Sequence, residues 1–450
     1  MPAHGAVPPD PHTLFAPLDF SGHRCIVAAV SGGGDSLALL HLLKAFAAGC
    51  PGFPDILAVT VDHRLRPESA DEARQVGETA RALGIAHRTM IWTEPKPAHG
   101  ISKAAREARH RLLAEAASGA GAGIVLTGHT ADDQAETVAM RGERAAGRGE
   151  AGIAPATLYD RRIWFLRPLL AIRRQALRDY LSAGGIGWID DPSNLDMHYE
   201  RVRTRHAIIG NETGFAALIG RAESAANDRT MLGERAARWL EAYASIPFPG
   251  LLRLPPEALH AAPDALLYGL RILLSFIGGT PHMPNEAAAK RLVSELSEGA
   301  ARAGLSRAVV DRRRGGIFLY REGRGLPDPA AAAMELWDGR WQLTLTDNAD
   351  GLRIAPLGRT EAMRRIDDAG DTPRPVAVAA FSALPALWRG DECVGLPGPE
   401  TTPVRAISAL GPWTRFLPCF DLAPAKAMTA LASLEPLPRL PFARHIANSA

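Results

Sequence analysis

Cys25-Ile26-Val27-Ala28-Ala29-Val30-Ser31-Gly32-Gly33-Gly34-Asp35-Ser36 is the stretch on which the fold turns. Its first six residues form an apolar, β-branched run bounded by glycines, which predicts a buried strand over Cys25–Val30. The residues after the glycines repeat apolar side chains at three-residue intervals, Leu37, Leu40 and Leu43, and predict a helix over Ser36–Ala48. Strand, glycine turn and helix in immediate succession make the first unit of an α/β sheet, with free N–H groups at the helix start.

Working outward, further strands are expected at Ile56–Asp62, His87–Trp92, Gly123–Gly128 and Ile163–Leu166. Helices are expected between and after them, at Ala70–Leu83, Ser102–Ala117, Asp132–Arg141 and Arg173–Ala183. The alternation predicts a doubly wound parallel sheet. Beyond it, Thr213–Ser297 reads as helical, Ala308–Asp311 and Gly316–Tyr320 as a hairpin, and Gly325–Ala333 as a Pro/Ala-rich linker. The last segment shows short strands such as Arg340–Leu345 and no helical periodicity before Ala425–Ala432. The expected division is an N-terminal extension (1–23), an α/β domain (24–212), a helical middle domain (213–325) and a small α+β C-terminal domain (326–450).

The composition narrows the function classes. A chain of 450 residues with 46% hydrophobic residues is long enough for about three cores and is not disordered as a whole. The net charge of +2 excludes a polycation, yet only five of the 51 basic residues are lysines. Such arginine dominance suits bidentate phosphate recognition and equally follows from nucleotide bias. The four cysteines, Cys25, Cys50, Cys393 and Cys419, are scattered without the spacing of a zinc, iron-sulfur or redox motif. Five prolines in residues 1–20 speak against a signal peptide, and no apolar run nears the roughly 18 residues of a membrane span. A soluble, cytoplasmic protein without a membrane partner is expected.

In Ser31–Ser36 the glycines let the backbone approach a ligand, and the helix N-terminus favours an anion there. Ser31 and Ser36 add hydroxyl donors. The loop has neither the lysine of a Walker motif nor a dinucleotide fingerprint. Asp35 would repel phosphate unless a divalent cation lay between them, so it reads as a Mg²⁺-associated residue, with helix capping as the structural alternative. Further on, Gly128-His129-Thr130-Ala131-Asp132-Asp133-Gln134-Ala135-Glu136-Thr137 opens a helix, with Asp132 and Glu136 four apart on one face. Such a cluster can hold Mg²⁺ or accept a proton. Helix-dipole stabilisation accounts for one of its carboxylates but poorly for all three.

Ser-Gly-Gly-x-Asp-Ser, met in full at 31–36, resembles the signature of the N-type ATP pyrophosphatases, the PP-loop enzymes. Among them, the chain is most similar to the tRNA(Ile)-lysidine synthetases. The segments that carry this are Val61-Asp62-His63-Arg64-Leu65-Arg66, Ala105-Arg106-Glu107-Ala108-Arg109-His110, the 128–137 run, Arg167-Pro168-Leu169-Leu170 and Asp191-Pro192-Ser193-Asn194 with Arg201, Arg203 and Arg205. Departures are His110 where tyrosine is usual, Val202 in place of asparagine, and the 141–153 stretch, where only Arg141-Gly142 and loose glycines persist. The resemblance is specific over about 24–206 and general beyond.

The resemblance implies an ATP-dependent ligase acting on the wobble cytidine of the CAU-anticodon isoleucine tRNA. ATP adenylates the C2 oxygen of the base, pyrophosphate leaves into the loop, and the amine of free L-lysine displaces AMP. The lysidine formed changes the tRNA from methionine to isoleucine specificity. It further implies that Ser31, Gly32, Gly33, Gly34, Asp35, Ser36, Asp62, His63 and His129 bind the nucleotide, with Mg²⁺ at Asp35, Asp132 and Asp133. Asp35, Asp132, Asp133 and Arg109 would be catalytic, and Arg66, Arg106, Glu136, Arg201 and Arg205 would meet substrate. Arg141, Arg144, Arg148, Arg161, Arg162, Arg173 and Arg174 are candidates for tRNA phosphate contacts, with a solvated basic face as the alternative. The assembly is open, a homodimer among the options. The competing readings are a tRNA thiolase, which would depend on reactive cysteines, a GMP synthetase, whose amidotransferase cysteine is missing, and a non-catalytic tRNA-binding module.

Overall fold

The structure is a computed structural model that describes residues 8–142, 148–190, 196–331, 336–347, 349–366, 370–398 and 403–442. Two compact units divide the chain, Met1–Arg229 with Pro418–Phe420 and Pro438–Ala450, and Thr230–Leu417 with Asp421–Leu437.

The first unit carries α1 (Pro11–Phe15), β1 (Cys25–Ala29), α2 (Gly34–Ala48), β2 (Asp55–Asp62), α3 (Ser69–Ala82), β3 (Ala86–Ile91), α4 (Ile101–Gly119), β4 (Ile124–Leu126), α5 (Ala131–Gly142), β5 (Ala156–Tyr159), β6 (Ile163–Leu166), α6 (Arg174–Ala183) and α7 (Glu200–Ile208). A long helix, α8 (Glu212–Tyr243), contains the boundary between the units. The expected strands and helices therefore form, shifted by one to three residues at most ends. Six strands lie in the order β5-β6-β4-β1-β2-β3, all parallel except β5, which runs antiparallel to β6. This is an α/β fold with a doubly wound, parallel-dominated sheet. β5 was not among the expected strands; it is four residues long and turns into β6 through Asp160 and Arg161, both at positive φ, without a glycine to mark the turn.

The strand order positions the site. The chain runs outward from β1 to β2 and β3, then returns to place β4 on the other side of β1. That reversal opens a crevice at the carboxyl ends of β1 and β4, and the 31–36 loop and the 128–137 run emerge there. The two meet closely. A Cβ on Gly128 would lie 2.9 Å from the Asp35 carbonyl oxygen and 3.1 Å from the Ser36 Cα, so only glycine fits. Beneath them, Ile26, Val27 and Ala28 of β1 and Leu39, Leu40, Leu42 and Leu43 of α2 are fully buried. Residues set apart in sequence as an N-terminal extension pack here too: Phe15 is fully buried and its ring centroid lies 5.5 Å from that of Phe46 in α2.

The second unit begins in α8, and the helix expected to run on to Ser297 is interrupted by a hairpin, β7 (Ser245–Phe248) and β8 (Leu251–Leu254), turned at Gly250 with φ +86°. After it come α9 (Pro263–Gly278), α10 (Glu286–Ser297), β9 (Arg302–Leu305), β10 (Ala308–Arg313) and β11 (Gly316–Arg321), completing an antiparallel sheet ordered β7-β8-β11-β10-β9. The hairpin expected at Ala308–Tyr320 is β10–β11. The expected linker instead supplies a short strand, β12 (Ala330–Ala331). The remainder holds β13 (Leu336–Trp337), β14 (Trp341–Leu345), β15 (Arg353–Pro356), α11 (Gly358–Arg364), α12 (Arg374–Ser382), β16 (Pro385–Arg389), β17 (Glu392–Gly395), β18 (Val404–Ser408) and α13 (Leu422–Leu431). The helices α11 and α12 were not expected; α12 hides behind Pro373 and Pro375, residues that suit a first helical turn but read as breakers. Residues on both sides of position 325 share one apolar core, in which Phe248 and Phe318 join Trp337, Ile354 and Phe381.

Since the atoms facing Gly128 are backbone, Gly128→Ala should destabilise the first unit by about 1–3 kcal/mol. Urea denaturation followed by circular dichroism checks this; an unchanged midpoint would show that the two loops do not constrain each other.

Candidate active site

The 31–36 loop holds its shape through its own polar groups. Gly32 has φ +86°, and a Cβ there would meet Ile189 Cδ1 at 2.8 Å. Gly33 precedes the first turn of α2 in extended conformation. The Ser31 backbone N–H donates to Ser36 Oγ (3.1 Å), and the Ser36 hydroxyl donates to the Gly33 carbonyl (2.9 Å). The Ile189 N–H donates to the Gly32 carbonyl (3.0 Å), tying the far side of the loop to the segment after α6. The loop thus presents the start of α2, where the first N–H groups and the helix dipole favour an anion.

A network of ions stands beside it. The Arg174 guanidinium, from the first residue of α6, donates to Asp35 Oδ2 (3.0 Å), Asp133 Oδ1 (2.9 Å) and Glu136 Oε1 (3.3 Å). The Arg174 backbone N–H donates to Asp132 Oδ2 (2.7 Å). Arg201 donates to Glu136 Oε2 (2.6 Å) and Asp133 Oδ1 (2.8 Å), and Arg205 to Glu136 Oε1 (2.7 Å). Glu136 is only 2% exposed, so its three arginines are what make an ionised carboxylate tolerable there. Burial alone would lower the Arg174 pKa, but Asp133, Asp35 and Glu136 together raise it above the ordinary value. Asp133 also caps its own helix, because its Oδ2 accepts from the Thr130 N–H (2.7 Å) while Thr130 Oγ1 accepts from the Asp133 N–H (3.3 Å), a reciprocal arrangement at the start of α5. Burial pushes the Asp35 carboxyl above its usual value against the pull of Arg174. Its Oδ1 is buried without a hydrogen-bond partner.

A third wall is cationic. Solvent reaches Arg106 and Arg109 on α4, yet enough protein surrounds Arg109 that lost hydration, together with Arg106 and Arg201, brings its pKa down to about 10. Among the described residues neither has a carboxylate partner. His63 lies edge-on to Trp92 (5.8 Å between centroids), and burial, with Arg109, lowers its pKa to about 4. Its Nδ1 is buried without a partner. Burial also keeps His129 neutral, far below its ordinary value, with Nδ1 3.0 Å from Thr127 Oγ1.

Chain similarity fits this geometry. Residues 11–212 match the PP-loop domain family. The tRNA(Ile)-lysidine synthase of Mesorhizobium japonicum is 48% identical over 446 residues, spanning 97% of this chain and 98% of that one. This chain belongs to the tRNA(Ile)-lysidine synthase family. The family's member from Brucella canis is 36% identical over 400 residues, 86% of this chain and 89% of that one. Among solved structures, the U34-tRNA thiolase NcsA from Methanococcus maripaludis with its [4Fe-4S] cluster covers 48% of this chain and 76% of its own at 14% identity and a TM-score of 0.41, too low to weigh in the argument.

As a lysidine synthase family member, the chain is a PP-loop enzyme that uses ATP. Its sequence-derived site residues are placed unevenly. Ser31–Ser36, Asp132, Asp133, Glu136, Arg201 and Arg205 belong to one connected cluster, with Arg106 and Arg109 beside Arg201. Arg66 stands apart: it grips Glu72 through both carboxylate oxygens (2.9 and 3.1 Å) and lines a cavity of about 600 Å³ with Asp62, Arg64 and Arg74. Asp62 turns its Oδ1 to the Arg64 N–H (2.8 Å). Among the proposed phosphate contacts, Arg141 holds the carbonyls of Gly149 and Gly152 (3.1 and 2.9 Å), Arg162 pairs with Asp160, and Arg173 lies over Phe215 and pairs with Glu212. The centre of the carboxylate cluster is Arg174, which the sequence alone offers as a candidate tRNA phosphate contact beside the pocket; nothing local in the sequence links it to Asp35, 139 residues away. Arg167, buried, donates to the Ala154 carbonyl (2.7 Å) and Thr157 Oγ1 (3.0 Å) and so braces β5. Gln134 of the 128–137 run pairs with the backbone of Ile153, accepting its N–H at 2.6 Å. Asp191-Pro192-Ser193-Asn194 and Arg144 lie outside the described residues.

His110 packs between Tyr159 and Phe165, its Nδ1 2.8 Å from the Arg106 carbonyl, and burial lowers its pKa to about 4. Folding thus favours neutral His110, a contribution fully present above its unfolded pKa near 6.5 and lost as pH falls from there to about 4. At 1.36 kcal/mol per unit this amounts to up to about 3 kcal/mol. His110→Phe should flatten the acid-side fall in melting temperature over that window; identical slopes would show that His110 does not take up the proton.

Proposed function

We propose that this chain forms lysidine on tRNA(Ile): ATP adenylates the C2 oxygen of the wobble cytidine in the CAU anticodon, and free L-lysine then displaces AMP. The observation that carries the reading is the glycine loop at the sheet's reversal point, with a carboxylate cluster beside it and, at Arg106 and Arg109, guanidinium groups that have no carboxylate partner among the described residues. Adenylation needs an anion cradle for the departing pyrophosphate, and the N–H groups after Gly33 supply it. His63, His129 and Asp62 line the nucleotide side, and neutral imidazoles there accept or donate hydrogen bonds without adding charge.

Mg²⁺ fits the residues present. Asp35 Oδ1 is a buried carboxylate oxygen with no partner beside the phosphate loop, and Mg²⁺ is usually held by one or two carboxylates together with substrate phosphates and water. No three His, Cys, Asp or Glu side chains among the described residues are grouped for an all-protein cage. When bound, the ion would offset charge on the phosphates.

The amine of lysine must lose a proton to attack. Asp133 has both oxygens committed, one to the α5 cap and one to Arg174 and Arg201, which makes it a positioning residue. Asp132, whose Oδ2 is held by the Arg174 N–H, is the proton acceptor in this scheme. Arg109 and Arg106 receive the lysine carboxylate or the adenylate phosphate, and Arg201 and Arg205 keep Glu136 and Asp133 in place beside them. The second unit and the outer arginines grip the tRNA. In this reading the enzyme works in the cytoplasm, where its tRNA and lysine are found; no described helix is long and apolar enough to cross a membrane.

The test is incubation of purified protein with ATP, radiolabelled lysine and a CAU-anticodon isoleucine tRNA transcript. Lysine-dependent label in the tRNA with release of AMP and pyrophosphate is expected. Arg109→Ala should raise the KM for lysine at least about tenfold, the cost of one lost charge-assisted pair, and Asp132→Asn should lower kcat at least about a hundredfold. Absence of label with a transcript that a known lysidine synthase modifies would overturn the function; full activity of Asp132→Asn would overturn the site. Light scattering of the same preparation separates monomer from homodimer.

A further inference from the structure

Counting charge in the cluster gives an unexpected balance. Asp35, Asp132, Asp133 and Glu136 carry four negative charges, and Arg173, Arg174, Arg201 and Arg205 return four positive ones through contacts of 2.6–3.5 Å. These ion pairs balance before any metal enters. A divalent cation arriving alone would leave two surplus positive charges in a partly desolvated place, which is unfavourable. A cation arriving with nucleotide phosphates would not.

Arg201 and Arg205 sit on α7 and address Glu136 and Asp133. Arg174 alone reaches Asp35, the residue of the phosphate loop, and it does so with Nε while its two terminal nitrogens hold Asp133 and Glu136. Its backbone N–H is fixed separately on Asp132 Oδ2, so the side chain can leave while α6 stays where it is.

We propose that Arg174 is an electrostatic placeholder for the metal. It neutralises Asp35 until Mg²⁺ and nucleotide arrive together, and then passes its guanidinium from the Asp35 carboxylate to a phosphate oxygen. Metal loading thereby depends on nucleotide, and the positively charged side chain is delivered to the phosphates at the moment they bind. Arg174 is in this sense a positioning residue whose action goes through Asp35. The inference rests on the proposed use of Mg²⁺ and ATP at this loop, but not on tRNA or lysine.

Mn²⁺ serves as the probe, followed by electron paramagnetic resonance with and without the non-hydrolysable analogue AMPCPP. In the wild-type chain the affinity for Mn²⁺ should rise at least about tenfold, roughly 1.4 kcal/mol, when AMPCPP is present. Arg174→Gln should bind Mn²⁺ alone at least about tenfold tighter than wild type and lose most of that coupling, while Arg174→Lys, which keeps the charge, should stay close to wild type. A merely structural arginine would move folding stability in both variants and leave nucleotide-free Mn²⁺ affinity alone. Equal affinity of Arg174→Gln and wild type without nucleotide overturns the proposal, as does wild-type Mn²⁺ binding indifferent to AMPCPP. Should Arg174→Gln fail to fold, wild-type protein labelled with ¹⁵N-arginine decides: the Nε–H resonance that Arg174→Lys removes must shift when Mg²⁺ and AMPCPP are added, and a resonance that stays put overturns the idea. Failure of lysidine formation with this coupling intact would count only against the tRNA reaction.

Discussion

Three carboxylates on two helices turn inward on a single guanidinium, and this constraint organises the catalytic unit. Asp35 begins α2, Asp133 and Glu136 begin α5, and Arg174 begins α6. Three helix starts are thereby brought to one point beyond the edge of the sheet, and each sends free N–H groups and a positive dipole end toward the crevice. The sheet's reversal between β1 and β4 makes this convergence geometrically available, and the Arg174 ion pairs hold it together. Remove the arginine and like charges from two helices would face each other a few ångströms apart.

Arginine rather than lysine suits this post. A planar guanidinium with five N–H groups can address three carboxylates in different directions at once, whereas an ammonium on a flexible stem is a single point charge. The same argument applies in the second unit, where buried Asp338 is met by Arg321 and Arg340. Among the described residues Arg167, Arg321 and Arg340 are buried, and they too work at fixed angles inside the protein.

Local chemistry was legible in the sequence, and partnership across distance was not. β1 and the loop after it could be read because a buried strand, glycines and a helix period stand side by side, and the carboxylates of 128–137 because they share one helix turn. By contrast, the pairing of Arg174 with Asp35 depends on where α6 docks, which no local pattern encodes. β5 escaped because its hairpin turn uses Asp160 and Arg161 in place of glycine, and α12 because its prolines fall in the one turn where they do no harm. The roles of individual residues shifted in the same way. Arg141, a candidate for tRNA phosphate contact, and Gln134 and Arg167, which the matched segments carry without a stated role, all bond to the protein's own backbone.

That use of backbone partners bears on what the stretch demands of its residues. Gln134 accepts the Ile153 N–H and Arg141 holds the carbonyls of Gly149 and Gly152, so the stretch ahead of β5 is fastened by atoms that every amino acid possesses. Only Gly152, at φ +64° with its missing Cβ 2.5 Å from Gln134, is fixed by identity. A clamp that reads no side chains sets the path of the backbone without dictating which residues follow it. Ala151 is the counterweight: it makes no use of the clamp but is fully buried against Ala154 and Phe420, so packing fixes its size where hydrogen bonding does not.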